Sequence, residues 1–156
     1  MNQSNREIEM RDIVLPEATN PYGTLFGGKL LEMIDKAAGI CAAKFACSRV
    51  VTASLEAVDF LIPIFEGQVI NIKAKIIYAG KSSMVIAVRV IAEDVITQSS
   101  NLCCTAHVNM VAVDGKGKPV EVPEYEPMTK TEAHEYEEGK TIRNQALARI
   151  GEPLEK

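Results

Sequence analysis

The hydrophobic period of this chain changes at Ser48-Arg49 from helical to two, and that change limits the folds open to it. From Gly28 to about Ala46 the apolar residues recur at helical spacing. Leu30, Ile34, Ala37, Ala38, Cys41 and Phe45 form one stripe, with Lys29, Glu32 and Lys36 opposite. After Arg49 the period is two, through residues 50–62, 68–79, 83–95 and 102–113. Residues 7–15 also alternate and give a first strand that Pro16 stops. The strands are separated by Pro63 and Glu66-Gly67, by Gly80-Lys81 and by the polar run TQSSN, and Asp114-Gly115 closes the last. One long helix followed by antiparallel hairpins predicts an α+β fold, a curved sheet wrapped over a central helix.

Residues 83–95 carry apolar side chains on both faces, Val85, Ala87 and Ile91 opposite Met84, Ile86, Val88 and Val90. A monomer could hardly cover both faces, so a homo-oligomer is expected. Beyond a Pro-rich segment, Thr129 with Glu132 reads as a capping box for a helix over residues 130–150, stopped by Gly151 and Pro153. Gly139 in its interior costs about 1 kcal/mol. With 156 residues the chain supports one core. We read residues 1–123 as the main domain and 124–156 as an extension for assembly or regulation.

Composition excludes several classes. The net charge of −4 leaves no overall basic footprint for nucleic acid. No apolar run approaches the ~20 residues of a membrane span. The start, MNQSNREIEMRD, has no apolar signal region, so the expected location is cytoplasmic. The four cysteines (Cys41, Cys47, Cys103, Cys104) and two histidines (His107, His134) show no zinc-ligand spacing. They read as free thiols in a reducing compartment, and His107 reads as structural.

The chemistry-bearing stretch is Asn20–Gly39, NPYGTLFGGKLLEMIDKAAG. A glycine-rich loop feeding a helix offers free N–H groups at the positive end of the helix dipole. Gly23 to Lys29 matches G-x-x-x-x-G-K, but Leu30 stands where a phosphate loop has Ser or Thr, and no hydrophobic strand precedes it. Asp35 lies at the edge of the apolar stripe beside Gly39 and Ala42, where small neighbours leave room for something to approach the carboxylate, and it could activate water. Asn20 by itself is a turn residue before proline. Thr52, Ser54 and Glu56 share one face of their strand and could position water, with Glu56 a reserve carboxylate. No G-x-S-x-G nucleophile elbow occurs.

Together these residues carry a resemblance. The run T-N-x-x-G-x-x-F-G-G-x-L-L-x-x-x-D, Thr19 to Asp35, resembles the acyl-CoA thioesterases of the hotdog superfamily. It continues through Arg49-Val50-Val51-Thr52, Gly80-Lys81-Ser82-Ser83-Met84 and Val111-Ala112-Val113-Asp114, and covers about residues 8–123. The resemblance implies a hotdog fold and hydrolysis of acyl-CoA to fatty acid and CoA, without metal or other cofactor. It implies that Asn20 of one protomer and Asp35 of the other form the active pair, in a dimer that commonly assembles into a hexamer. The helix-start amide near Gly28 would polarise the carbonyl, and Thr52 joins the catalytic set. Asp35 would act as general base or as nucleophile. Val51 and Gly80, Lys81, Ser82 and Ser83 would hold CoA, with Arg89 and Arg143 adding charge. A non-hydrolytic acyl-CoA-binding regulator, another hotdog thioester enzyme and a phosphate-loop nucleotide binder are the alternatives.

Overall fold

The computed structural model describes residues 5–156; residues 1–4, the start of the polar N-terminal segment, lie outside the description. The elements run β1 (Glu7–Ile13), a short 3-10 turn (Pro16–Ala18), α1 (Gly27–Ala46), β2 (Arg49–Phe60), β3 (Val69–Ala79), β4 (Ser83–Glu93), β5 (Ser100–Val113) and α2 (Lys130–Ile150). The strands form one antiparallel sheet in the order β1-β3-β4-β5-β2. α1 lies across its concave face, as the change of period requires.

The whole stripe of α1 is buried, together with Ala42. It meets Ile70, Ile72, Ala74 and Ile76 of β3, Met84, Ile86, Val88 and Val90 of β4, and Ala106, Val108, Met110 and Ala112 of β5. Each large side chain in this layer contributes about 1.5–3 kcal/mol of burial. The helix ends at Cys47, whose φ of 49° is left-handed.

Part of the opposite face of the sheet, around Ile77, Tyr78 and Val85, is covered within the same chain, while Ala87 and Ile91 stay partly exposed. α2 packs there, with Tyr136 and Ile142 against Ile77, Tyr78 and Val85. Gly139 is the closest approach: a Cβ at this position would lie 2.6 Å from Tyr78 Cβ. The glycine that weakens α2 as an isolated helix is what lets it reach the sheet. The capping box forms, with the Glu132 N–H donating to Thr129 Oγ1 at 3.1 Å, while Glu132 Oε2 accepts from the Met128 N–H at 2.6 Å. Lys75 pairs with Glu135 at 2.6 Å, and Arg149 pairs with Glu56.

One bulge changes the sequence reading. Thr52 pairs with Met110 but Ser54 pairs with Asn109, adjacent residues that point to opposite faces of β5. The extra residue, Ala53, therefore turns Thr52 toward α1 and Ser54 and Glu56 toward α2. The three do not share a face.

Candidate active site

Asp35 sits midway along α1 and is half-buried. Thr52 Oγ1 donates to Asp35 Oδ1 at 2.7 Å and also lies 3.5 Å from Met110 Sδ. This hydrogen bond ties one carboxylate oxygen to the sheet and leaves the other without a protein donor among the described residues. Ser54 instead accepts from Asn109 Nδ2 at 2.8 Å, and the Arg149 guanidinium holds the Glu56 carboxyl below its usual range. Neither serves Asp35, so Glu56 is no reserve base.

Asn20 builds the loop ahead of α1. Its Oδ1 accepts from the N–H groups of Tyr22 (2.9 Å) and Thr24 (3.2 Å), and its Nδ2 donates to Thr24 Oγ1 (2.8 Å). This is the Asx geometry expected of Asn before a Pro-Tyr-Gly turn. The Leu25 N–H then donates to Ile64 O and the Phe26 N–H to Ala18 O, which fixes the direction of α1. Phe26 caps the helix without a side-chain hydrogen bond, and the first turn carries no acid. The first amides to find helical partners are those of Lys29 and Leu30, both donating to Phe26 O. Those of Gly27 and Gly28 precede them and have no acceptor among the described residues, at the positive end of the dipole.

Gly28 and Asp35 lie two turns apart, about 10 Å at the helical rise. A catalytic base and an oxyanion donor must both come within about 3 Å of the reacting group. Hence the open amides and the acid of a single α1 cannot serve one carbonyl. Beside Gly27 is an apolar cavity of 280 Å³, lined among others by Leu25, Leu30, Phe60, Ile62 and Cys103. The phosphate-loop reading fails here: Lys29 pairs with Glu32 at 3.2 Å, and a 3-10 turn rather than a strand comes before the loop.

The β3–β4 hairpin closes with the Gly80 N–H donating to Ser83 O at 2.9 Å. Val51, Val111 and Ser83 occupy one row across β2, β5 and β4. The Ser82 carbonyl accepts from the Ala112 N–H and the Lys81 carbonyl from the Val122 N–H. The Lys81 ammonium is exposed, 3.9 Å from Glu121. Arg143 of α2 reaches this end of the sheet. Arg89 does not: it stands on β4 between Lys73 and Thr105, about 20 Å from Ser83 along the strand. Sequence reasoning missed two residues here. Tyr78 is turned to the outer face by the bulge between Ile76 and Tyr78, and Glu155 lies in the C-terminal segment, to which no chemistry was assigned. His107 is structural in its surroundings, 3.9 Å from Glu138 and mostly buried, and burial lowers its pKa.

Among the described residues no group of three or more His, Cys, Asp or Glu could hold a metal ion, and no helix is long and apolar enough to cross a membrane.

Residues 22–98 match the family model described as the thioesterase superfamily. A Bacillus subtilis protein, named as an uncharacterized acyl-CoA thioester hydrolase (YkhA), is 42% identical over 119 residues, 76% of this chain and 69% of its own. An acyl-CoA hydrolase of Staphylococcus aureus, solved with butyryl-CoA and CoA, superposes with a TM-score of 0.81 at 36% identity, over 96% of this chain and 88% of that one. Solved variants of that enzyme replace an asparagine, an aspartate or a threonine by alanine, and the three are spaced in sequence as Asn20, Asp35 and Thr52 are here. A hexameric acyl-CoA thioesterase superposes with a TM-score of 0.89 at 35% identity, over 96% of each chain. With its concave sheet around α1, its loop-to-helix motif and these relatives, the chain belongs to the thioesterase superfamily, as a hotdog-fold member among the acyl-CoA thioester hydrolases.

Proposed function

We propose that this protein hydrolyses acyl-CoA thioesters to fatty acid and CoA, at sites each shared by two protomers. The observation that carries the proposal is the separation within one chain: an oriented carboxylate at Asp35–Thr52, and open oxyanion donors at Gly27–Gly28 about 10 Å away. Two copies can supply each site with both halves. The spacing shared with the substituted residues of the S. aureus enzyme supports the same three side chains.

In this mechanism the thioester carbonyl lies against the Gly28 amide of one protomer, beside Asn20. Asp35 of the other protomer takes a proton from water as the water oxygen attacks the carbonyl carbon. The tetrahedral oxyanion is held by the amides at the helix start. Its collapse breaks the C–S bond, CoA leaves as thiolate and takes up a proton, and the carboxylic acid product ionises. Attack by Asp35 itself would pass through an anhydride that water then cleaves. Thr52 orients the carboxylate on either route. The apolar cavity beside Gly27 receives the acyl chain. Lys81, the hairpin and Arg143 lie where the phosphates of CoA would be met. No cofactor takes part. The exposed β2 edge, with Val51, Leu55 and Phe60, is the surface that pairs the protomers, and hexameric relatives support a trimer of such dimers.

The test is release of free thiol from a chain-length series of acyl-CoAs by purified protein. Asp35→Ala should lower kcat by about 10²–10⁴-fold, and Thr52→Ala should lose more activity than Thr52→Ser. Undiminished turnover in Asp35→Ala would overturn the assignment of the acid.

A further inference from the structure

A cluster outside the Asp35 site binds a carboxylate that belongs to the chain itself. Glu155 folds back over the β3–β4 hairpin. Tyr78 Oη donates to its Oε2 at 2.7 Å, Ser83 Oγ donates to its Oε1 at 2.6 Å, and Arg143 Nε lies 3.3 Å from the same Oε1. The donors are deeply placed: Ser83 is 0% exposed, Tyr78 2%, and the Arg143 side chain 12%. Two hydroxyls and a guanidinium converging on one carboxylate make an anion cradle.

Gly80 belongs to the same construction. Its backbone is not in the left-handed region, so conformation does not require glycine. A Cβ there would collide with Glu155 Oε2 and would stand 2.8 Å from Ser83 Oγ. Glycine lets the Glu155 carboxylate come this close to the hairpin backbone. Burial, and then the hydrogen bond to Glu155, hold the Tyr78 phenol above its usual range, so it stays a donor. Next to the cradle is a cavity of 390 Å³, bounded by Tyr78, Gly80, Lys81, Tyr136, Glu155 and Lys156. Two cations of this neighbourhood are underused. Among the described residues Arg143 engages Glu155 through Nε alone, at the long end of hydrogen-bond range, and Lys81 has only its distant Glu121.

The carboxylate is held from behind. The Glu155 N–H donates to Asn144 Oδ1 at 2.8 Å, and Asn144 Nδ2 donates to Glu155 O at 3.2 Å. The tail that carries it leaves α2 at Gly151, in the left-handed conformation that ends the helix. Glu155 is therefore tethered a few residues from a helix that is packed on the sheet, at high effective concentration.

We propose that Glu155 is a tethered competitor for this cradle of Tyr78, Gly80, Ser83 and Arg143, and that it must swing out before a phosphate enters. Naming the phosphate as one carried by CoA rests on the acyl-CoA reading above; the cradle and its competitor do not. The tail thereby sets the affinity for CoA, and with it substrate binding and product release, without touching Asp35 or the helix start.

The test is calorimetric binding of CoA and of inorganic pyrophosphate to the full-length protein, so it does not depend on turnover. Glu155→Ala should bind both about tenfold more tightly than the parent, equivalent to about 1.4 kcal/mol. Asn144→Ala, which frees the tail while leaving every cradle residue in place, should move affinity the same way. Arg143→Gln should lose the gain when combined with Glu155→Ala. A gain for CoA without one for pyrophosphate would overturn the phosphate assignment. Unchanged or weaker binding of both by folded Glu155→Ala and Asn144→Ala would show that Glu155 is only a strut between α2 and the sheet. Should the protein prove unable to hydrolyse acyl-CoA, tighter pyrophosphate binding by these variants would still support the cradle. Normal hydrolysis with unaltered binding would refute the competitor alone.

Discussion

The two-turn separation of Gly28 from Asp35 makes a quantitative prediction about mixed oligomers. Asn20→Ala removes a side chain from the helix-start half of the site, and Asp35→Ala removes the acid from the other half. Each variant assembled alone should be nearly inactive, because every site lacks one half. In a dimer containing one chain of each kind, one site combines both defects and the other combines the intact Asn20 with the intact Asp35. Random pairing makes about half of the dimers mixed, and each mixed dimer has one working site of two. The expected activity is therefore about a quarter of the parent's per chain. The assay is free-thiol release from acyl-CoA after co-expression of differently tagged chains, with mixed dimers purified through both tags and counted by native mass spectrometry. The purified mixed dimers should show about half the parent activity. The α1 geometry is the reason to expect the two halves from different protomers, since a rise of about 1.5 Å per residue keeps Gly28 out of reach of the Asp35 of its own chain. Mixed dimers no more active than the average of the two single variants would refute the shared site and require Asn20 and Asp35 to act within one protomer.

Two further predictions concern the docking of α2. Gly139→Ala improves intrinsic helix propensity by about 1 kcal/mol, but its Cβ would meet Tyr78 Cβ at 2.6 Å and Ile77 Cγ1 at 3.1 Å. Overpacking costs about 1–3 kcal/mol, so urea unfolding should show a net loss, and a gain would mean that α2 does not press on the sheet at this point. Burial lowers the His107 pKa in the folded state, with Glu138 opposing. As pH falls below about 6.5 the unfolded chain takes up its proton first, so stability is fully present above that value and declines beneath it. Urea midpoints at pH 7.5 and 5.5 should differ more for the parent than for His107→Gln; equal differences would exclude His107 as the source.

Much of the fold was legible because periodicity is local. The stripe Leu30–Phe45 and the alternating residues 69–79 each declare which side meets the core, whatever they pack against. The capping residues Thr129 and Gly151 mark α2 in the same way. The loop-to-helix motif and Asp35 were legible too, because free amides and an acid at the edge of an apolar stripe are properties of a single segment. Bulges were not. Nothing in Val51-Thr52-Ala53-Ser54 announces that one residue is extra, since the register of β2 is set by its pairing with β5. For that reason Ser54 and Glu56 read as neighbours of Thr52 when they face α2.

By itself, then, the sequence determined a helix wrapped by antiparallel strands, an oxyanion-ready helix start and an isolated acid two turns on. These follow from nearest-neighbour geometry along the chain. Only the tertiary structure decided which hydroxyl orients Asp35, why Gly139 must lack a side chain, and that Glu155 rests in a cradle with Tyr78, Ser83 and Arg143. Those contacts join residues far apart in sequence. Their energies depend on distance and burial, which exist only once the sheet has closed around α1 and α2 has settled on its outer face.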